Sequence, residues 1–241
     1  MDVELNTTWV EIDLGAIRSN IQQMNQFTNT AVMAVVKANA YGHGLVEVAK
    51  AAQQAQSPWL GVARVEEGVL LREAGVTGRI LVLGYTAPEQ VRLAAAQGID
   101  LTVYDPDVVK AYVSQLSDGD RLNVQAKVDV GMGRLGVFPQ DAQGFVEFLR
   151  GQPRINLAGI FTHFPTADEP ARNLTLPQFA RFERVLEQLE ARQIRPPLAH
   201  AANSAAAINY PETRLDLVRT GIAIYGLHPS PETRLPQGFR P

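Results

Sequence analysis

The stretch "AVMAVVKANAYGHG", Ala31–Gly44, decides how the rest of the chain is read. Six apolar residues, Ala31 to Val36, run into Lys37, and a loop rich in Ala, Asn and Gly follows at once. A short apolar run of this kind, without polar alternation, is the pattern of a strand buried on both faces of a parallel sheet. Seven further runs follow: "WLGVARV" (59–65), "RILVLG" (79–84), "DLTVY" (100–104), "LNVQAKVDV" (122–130), "INLAGIFTHF" (155–164), "PLAHAAN" (197–203) and "LDLVRTGIAIYG" (215–226). Segments of helical period lie between them, among them "GLVEVAKAAQQAQ" and "LTLPQFARFERVLEQLEARQ". Pro88 and Pro106 suit first helical turns, and Gly75 and Gly98 suit helix ends. Eight βα units in about 200 residues predict an α/β fold, a (β/α)8 TIM-type barrel. A doubly wound open sheet, the alternative, would want a G-x-G-x-x-G loop after the first strand, and none is there.

Two segments fall outside the eight units. "TWVEIDLGAIRSNIQQMNQF" reads as a short strand and then an amphipathic helix with Leu14, Ile17, Ile21 and Met24 on one face. At the other end, "HPSPETRLPQGFRP" holds four prolines in fourteen residues without periodicity, the composition of an interdomain linker. The barrel is therefore expected over 1–228 and the linker over 229–241.

Composition narrows the function. The 241 residues are 46% hydrophobic and 20% charged, enough to bury a substantial core. A net charge of -3 with both signs scattered gives neither a basic stripe for nucleic acid nor a polybasic membrane patch, so a small-molecule partner is expected. Absence of cysteine excludes disulfides, thiol catalysis and Cys-ligated zinc. The N-terminus has no signal-peptide pattern and no run reaches membrane-span length, so a cytoplasmic location is expected.

Barrel chemistry sits at the carboxyl ends of the strands. Period two puts Met33, Val35 and Lys37 on one face, so if the first two fill the barrel, Lys37 points into its mouth. A lone lysine there is ordinarily a solvated strand end, but other strands end in polar groups too. "KVDVGMGRLG" (127–136) presents Arg134 on a glycine-rich turn, equally the pattern of a structural turn with a surface arginine. "FTHF" places His163 between two aromatics, where a satisfied core histidine is the commoner case. In "HAANSAA", Ser204 before three alanines reads as a helix N-cap. In "LVRTGIAIYG", Arg219 lies near the strand end, with Gly221 and Ile222 able to offer backbone N–H groups to a phosphate. An amine beside a phosphate pocket, with Tyr41 close by and no pair of acids, suggests pyridoxal 5'-phosphate, because lysine forms imines and the phosphate needs an anchor.

These motifs, "TWVEIDLGAIRSNI", "AVVKANAYGHG", "VDVGMGRLG", "FTHFPTAD", "HAANSAA" and "VRTGIAIYG", resemble those of the alanine racemases, in the family's order and over essentially the whole chain. The resemblance implies the pyridoxal-phosphate barrel of that family, with Lys37 as cofactor-bearing lysine and as one base for the substrate's α-proton. It implies that Tyr41, Asn203, Ser204, Gly221 and Ile222 hold the cofactor, the phosphate above all. Arg134 matches the arginine reaching the phenolic oxygen and the substrate carboxylate, and Lys127 a lysine that is carbamylated in some members. Arg219 matches the partner of the pyridine nitrogen, with His163 behind it. Because an arginine donates and hardly releases its proton, the ring nitrogen is expected to stay unprotonated, which limits the ring as an electron sink and suits a racemase. In the family the second base is a tyrosine from a β-rich C-terminal domain, supplied by the other subunit of a homodimer. No tyrosine here resembles its motif, so weak or absent turnover is expected. D-alanine supply for peptidoglycan would be the role. A pyridoxal-phosphate barrel decarboxylase and a single-domain protein of cofactor balance are the rival readings, and alanine against serine preference stays open.

Overall fold

In the computed structural model, which describes residues 8–241, the eight runs become eight parallel strands. They are β1 (Ala31–Val35), β2 (Trp59–Val62), β3 (Arg79–Val82), β4 (Ile99–Val103), β5 (Leu122–Lys127), β6 (Ile155–Phe161), β7 (Ala199–His200) and β8 (Leu217–Thr220). They pair in the order β7-β6-β5-β4-β3-β2-β1-β8. At the remaining seam the Asp216 N–H donates to the Ala199 carbonyl at 3.1 Å and the Arg219 N–H to that of Ala202 at 3.0 Å, which brings the sheet around into a barrel. Helices lie between the strands, and their apolar faces meet the outward side chains of the sheet.

Most strands end sooner than the apolar runs that announce them. Pairing stops where each chain bends out of the barrel wall, so the ends of the runs are not strand but mouth: Lys37, the loop after Lys127, His163, Asn203 and Gly221. Alternation fills the interior unevenly. Met33, Trp59, Leu81, Phe161 and Leu217 make one apolar cluster, and the buried polar groups of Asp100, Gln125, Lys127, His200 and Arg219 share the interior with it. Barrels of this kind are ordinarily filled with branched aliphatic residues.

The N-terminal reading needs one correction. Thr8–Asp13 forms no strand, because β1 already pairs with β2 and β8 and offers no free edge; Trp9 and Val10 are 70% and 83% exposed. The helix is present as Leu14–Thr28, capped by the Asp13 carboxylate, which accepts from the Ala16 N–H at 2.9 Å. Its Ile17, Ile21 and Met24 are buried.

Residues 229–241 form no helix or strand but are tied to the barrel. The buried Asn20 amide donates to the Arg240 carbonyl at 2.7 Å and accepts from the Arg240 N–H at 2.9 Å. Ser230 and the buried Thr233 both donate to the Asp168 carbonyl, at 2.5 and 3.1 Å, which fixes the loop after β6 beside the mouth. Among the described residues no helix is long and apolar enough to cross a membrane.

Candidate active site

Beyond β1 the backbone turns the wrong way. Ala38, Asn39, Ala40 and Tyr41 have φ of 54, 54, 52 and 57°, one left-handed turn built without glycine. L-residues pay roughly 1–2 kcal/mol each for that conformation, so the surroundings must enforce it. The Glu67 carboxylate accepts from the Ala38 N–H at 2.7 Å and from the Ala63 N–H at 2.7 Å, clamping the loops after β1 and β2 together. The Asn39 side chain accepts from the Leu45 N–H at 2.9 Å and opens the next helix. The turn leaves Lys37 on the cavity wall and carries Tyr41 back toward Gly221. Ala38 is exposed, so Ala38→Gly is expected to raise stability by about 1 kcal/mol, read from the denaturant midpoint at unchanged slope.

The mouth encloses a cavity of 590 Å³ that brings together Lys37, Tyr41, Lys127, Arg134, His163, Asn203, Ser204, Arg219, Gly221 and Ile222. Every residue singled out from the sequence therefore reaches one space. Phe161, Leu83 and Asp168, not singled out, line it as well.

At one end lies a cradle of donors. The residue capping the helix Ser204–Asn209 is Asn203, not Ser204: its Oδ1 accepts from the Ala206 N–H at 2.9 Å, and its Nδ2 donates to the Phe164 carbonyl at 3.1 Å. Either residue type can cap, and the chain enters the helix one position earlier than the run of alanines suggests. Ser204 is thereby released for the cavity. Its Oγ accepts from the N–H groups of Gly221 and Ala223, at 3.1 and 3.4 Å, so its proton is left to donate. Gly221 is needed for space, since a Cβ there would lie 2.6 Å from the Tyr41 hydroxyl oxygen.

The opposite wall is cationic. The Arg219 guanidinium donates to His200 Nδ1 at 2.8 Å and to the carbonyls of Thr162 and Ala201 at 2.7 and 2.9 Å. Burial pulls it down to about 9, still above neutrality, so it remains a cation and a donor. Burial, then the charges of Arg219, Lys127, Arg134 and Lys37, push His163 down to about 2, which makes it a neutral ring. Burial, then Arg219 and Arg134, hold the Lys127 amine well below the usual lysine range. That amine sits 4.4 Å over the Phe161 ring, and among the described residues no carboxylate pairs with it.

Arg134 is presented by a loop that Asp129 organises, a residue the sequence reading passed over. The Asp129 carboxylate accepts from the N–H groups of Gly131, Met132 and Arg134 at 2.8, 2.7 and 3.1 Å. Burial pushes that carboxyl up, but the backbone donors outweigh it and hold it below the usual range. Its spacing from Gly131, the signature of an Asx turn, could have marked it. Gly136 closes the loop with φ +134°, where a Cβ would lie 2.5 Å from the Asp129 nitrogen. Gly136→Ala is expected to cost about 1–3 kcal/mol and to strip exchange protection from the Arg134 amide, both readable by denaturation and hydrogen exchange.

This donor set suits pyridoxal phosphate. A hydroxyl proton beside a glycine with no room for a side chain suits a phosphate, a lysine lies on the same cavity, and a fixed guanidinium faces it from β8.

The family described as alanine racemase, N-terminal domain, matches residues 12–229. The alanine racemase of Symbiobacterium thermophilum is 42% identical over 247 residues, covering 100% of this chain and 65% of its own length. That of Desulforamulus reducens is 47% identical over 233 residues, covering 93% and 62%. The crystal structure of alanine racemase from Bacillus anthracis with bound L-Ala-P superposes with a TM-score of 0.91 at 38% identity, over 97% of this chain and 62% of that one. The chain thus spans between 62% and 65% of the length of these proteins. With its whole barrel matched and its cavity residues in place, the chain belongs to the alanine racemase N-terminal domain family.

Proposed function

We propose that the chain binds pyridoxal 5'-phosphate on Lys37 and serves the interconversion of L- and D-alanine as one half of a racemase site. The observation that carries this reading is the single cavity in which the Lys37 amine, the Ser204–Gly221 cradle and the Arg219 guanidinium meet. When bound, the cofactor supplies an electrophilic carbonyl and a conjugated ring that draws electrons from the substrate's α-carbon. The protein's own groups do the rest. Ser204, oriented by the Gly221 N–H, with the Ile222 amide and the Tyr41 hydroxyl beside it, holds the phosphate against Gly221. Arg219 donates to the ring nitrogen and keeps it from taking a proton, with His163 behind it. Arg134 holds the phenolic oxygen and the substrate carboxylate, and Lys37 takes or returns the proton at Cα. The Lys127 amine, pushed toward its uncharged form by burial and by Arg219 and Arg134, can in that form add to carbon dioxide, forming a carbamate and releasing a proton. That would place a negative charge between Arg134 and Arg219, the balance this cationic wall lacks.

Inversion needs a second base. Tyr41, the tyrosine lining the cavity, sits against Gly221 at the phosphate end, and the neutral His163 is too weak a base near neutrality. We therefore assign this chain one base, with a tyrosine from a C-terminal β domain of a dimer partner as the other and residues 229–241 as the link between domains. Alone it should racemise weakly. Its setting is cytoplasmic, and its product is D-alanine for peptidoglycan.

The test is incubation of the cofactor-loaded chain with L-alanine in deuterated water. Deuterium at Cα without carbon dioxide supports the half-site. Carbon dioxide would mean a decarboxylase, and neither outcome would mean a protein that only carries the cofactor.

A further inference from the structure

Beneath Arg219 the barrel interior contains a line of polar groups, His200, Gln125 and Asp100, that the proposed reaction does not use. From the mouth downward, Arg219 Nη1 donates to His200 Nδ1 at 2.8 Å, and His200 Nε2 lies 2.7 Å from Gln125 Oε1. Gln125 Nε2 donates to Asp100 Oδ2 at 3.2 Å, and Arg79 Nη2 reaches the same oxygen at 3.1 Å. His200 and Gln125 are both 0% exposed. We propose that Gln125, oriented by Asp100, fixes His200 as its Nε2–H tautomer and thereby holds Arg219 as a one-way donor facing the cavity.

The ends decide the middle. A guanidinium has only donors and a carboxylate only acceptors, so Arg219 at the mouth and Asp100 at the floor admit one direction between them. His200 must present a bare Nδ1 to Arg219 and therefore carries its proton on Nε2. Gln125 must accept that proton through Oε1, which it can do because its amide nitrogen is drawn to Asp100. A flipped Gln125 would face its oxygen to the carboxylate and its N–H to the ring. His200 would then need the proton on Nδ1, pointing it at a guanidinium with none to accept. The ring also stacks on Phe161 at 4.7 Å with an interplanar angle of 7°, which leaves it little freedom to turn over.

The floor is anchored as well. Arg79 lies 4.1 Å over the Trp59 ring while its guanidinium holds Asp100. Burial pushes the Asp100 carboxyl up, and Arg79, Gln125 and Asn123 work against it. Asp100 is already paired with Arg79, so the line transmits hydrogen-bond direction to Arg219 rather than a compensating charge. Gln125 is thus a positioning residue, acting on the site through His200 and Arg219. Only the statement that Arg219 faces a cofactor ring rests on the function proposed above.

The test has two parts. In the unliganded chain, nitrogen-15 NMR of His200 is expected to show a protonated Nε2 and a bare Nδ1; an Nδ1–H tautomer or an imidazolium would overturn the proposal. In the chain with pyridoxal phosphate, Gln125→Met is expected to weaken cofactor binding about tenfold, the loss of one charge-linked hydrogen bond, and to move the absorbance maximum of the bound cofactor. In an Arg219→Ala background the same substitution should cost nothing further, whereas the same tenfold loss there would refute action through Arg219. Gln125→Glu, which keeps an acceptor for His200 and when protonated a donor for Asp100, should retain the His200 signature, and Gln125→Leu, which likewise removes the acceptor, replaces Gln125→Met should that variant fail to fold. If the wild-type chain takes up no cofactor, the proposed function fails while the NMR result still decides the tautomer.

Discussion

Lys37→Ala is expected to abolish covalent capture of pyridoxal phosphate and to slow exchange of the alanine α-hydrogen by about 10²- to 10⁴-fold, the usual contribution of a positioned general base. The expectation rests on how the residue is held. β1 is fixed on both sides by β2 and β8, and the Val36 N–H donates to the Gly61 carbonyl at 2.9 Å. The left-handed turn then begins at Ala38. Lys37 is thus set between a rigid strand and a strained turn, and no neighbouring lysine can take its place without moving one of them. Lys127 is the sharp control, since it lines the same cavity and burial beside Arg219 and Arg134 favours the uncharged, nucleophilic form of its amine. Borohydride reduction followed by peptide mass analysis should find the cofactor on Lys37 in the wild type and in Lys127→Ala, and nowhere in Lys37→Ala. Finding it on Lys127 would reverse the roles assigned to the two lysines.

The sequence carried the barrel because parallel strands buried on both faces leave uninterrupted apolar runs, and "AVMAVV" or "RILVL" can hardly be anything else. It carried the cavity residues because the mouth of such a barrel lies where those runs end. Other features left no local trace. The left-handed turn is written in Ala, Asn, Ala and Tyr, residues with no shared taste for positive φ, and it is imposed by Glu67 from the next βα unit. An N-terminal strand was a fair reading of "TWVEI", but a strand exists only where an edge is open, and closure is a property of all eight strands together. His200 drew no reading of its own within "HAANSAA". Period two could have placed it inside the barrel, yet only the fold sets it against Arg219 and Gln125.

The same buried rings predict how stability responds to pH. Burial, then the charge of Arg219, depresses both His163 and His200 in the folded chain. Unfolded, each histidine takes a proton near pH 6.5, whereas the folded protein refuses it, so the unfolded state binds more protons and stability falls as pH falls. His163, held at about 2, contributes about 1.4 kcal/mol per pH unit below about 6.5 and should remove about 2 kcal/mol by pH 5, and His200 adds to the loss in the same direction. The depressed Lys127 has the same sign, losing stability on acidification from its unfolded value near 10.4 down to its folded one. Asp100, raised by burial, works in the opposite sense, with Arg79 limiting the extent. Asp129, depressed, loses its contribution only as pH drops through its folded value, below the window in question. Urea unfolding at pH 7.5, 6 and 5 measures the slope, and His163→Gln should lower it by about 1.4 kcal/mol per pH unit below about 6.5 while leaving the Arg219–His200 contact in place. Flat stability across that range would require both imidazoles to accept protons while folded, which Arg219 permits only by leaving His200, and with it the cavity wall it is held against.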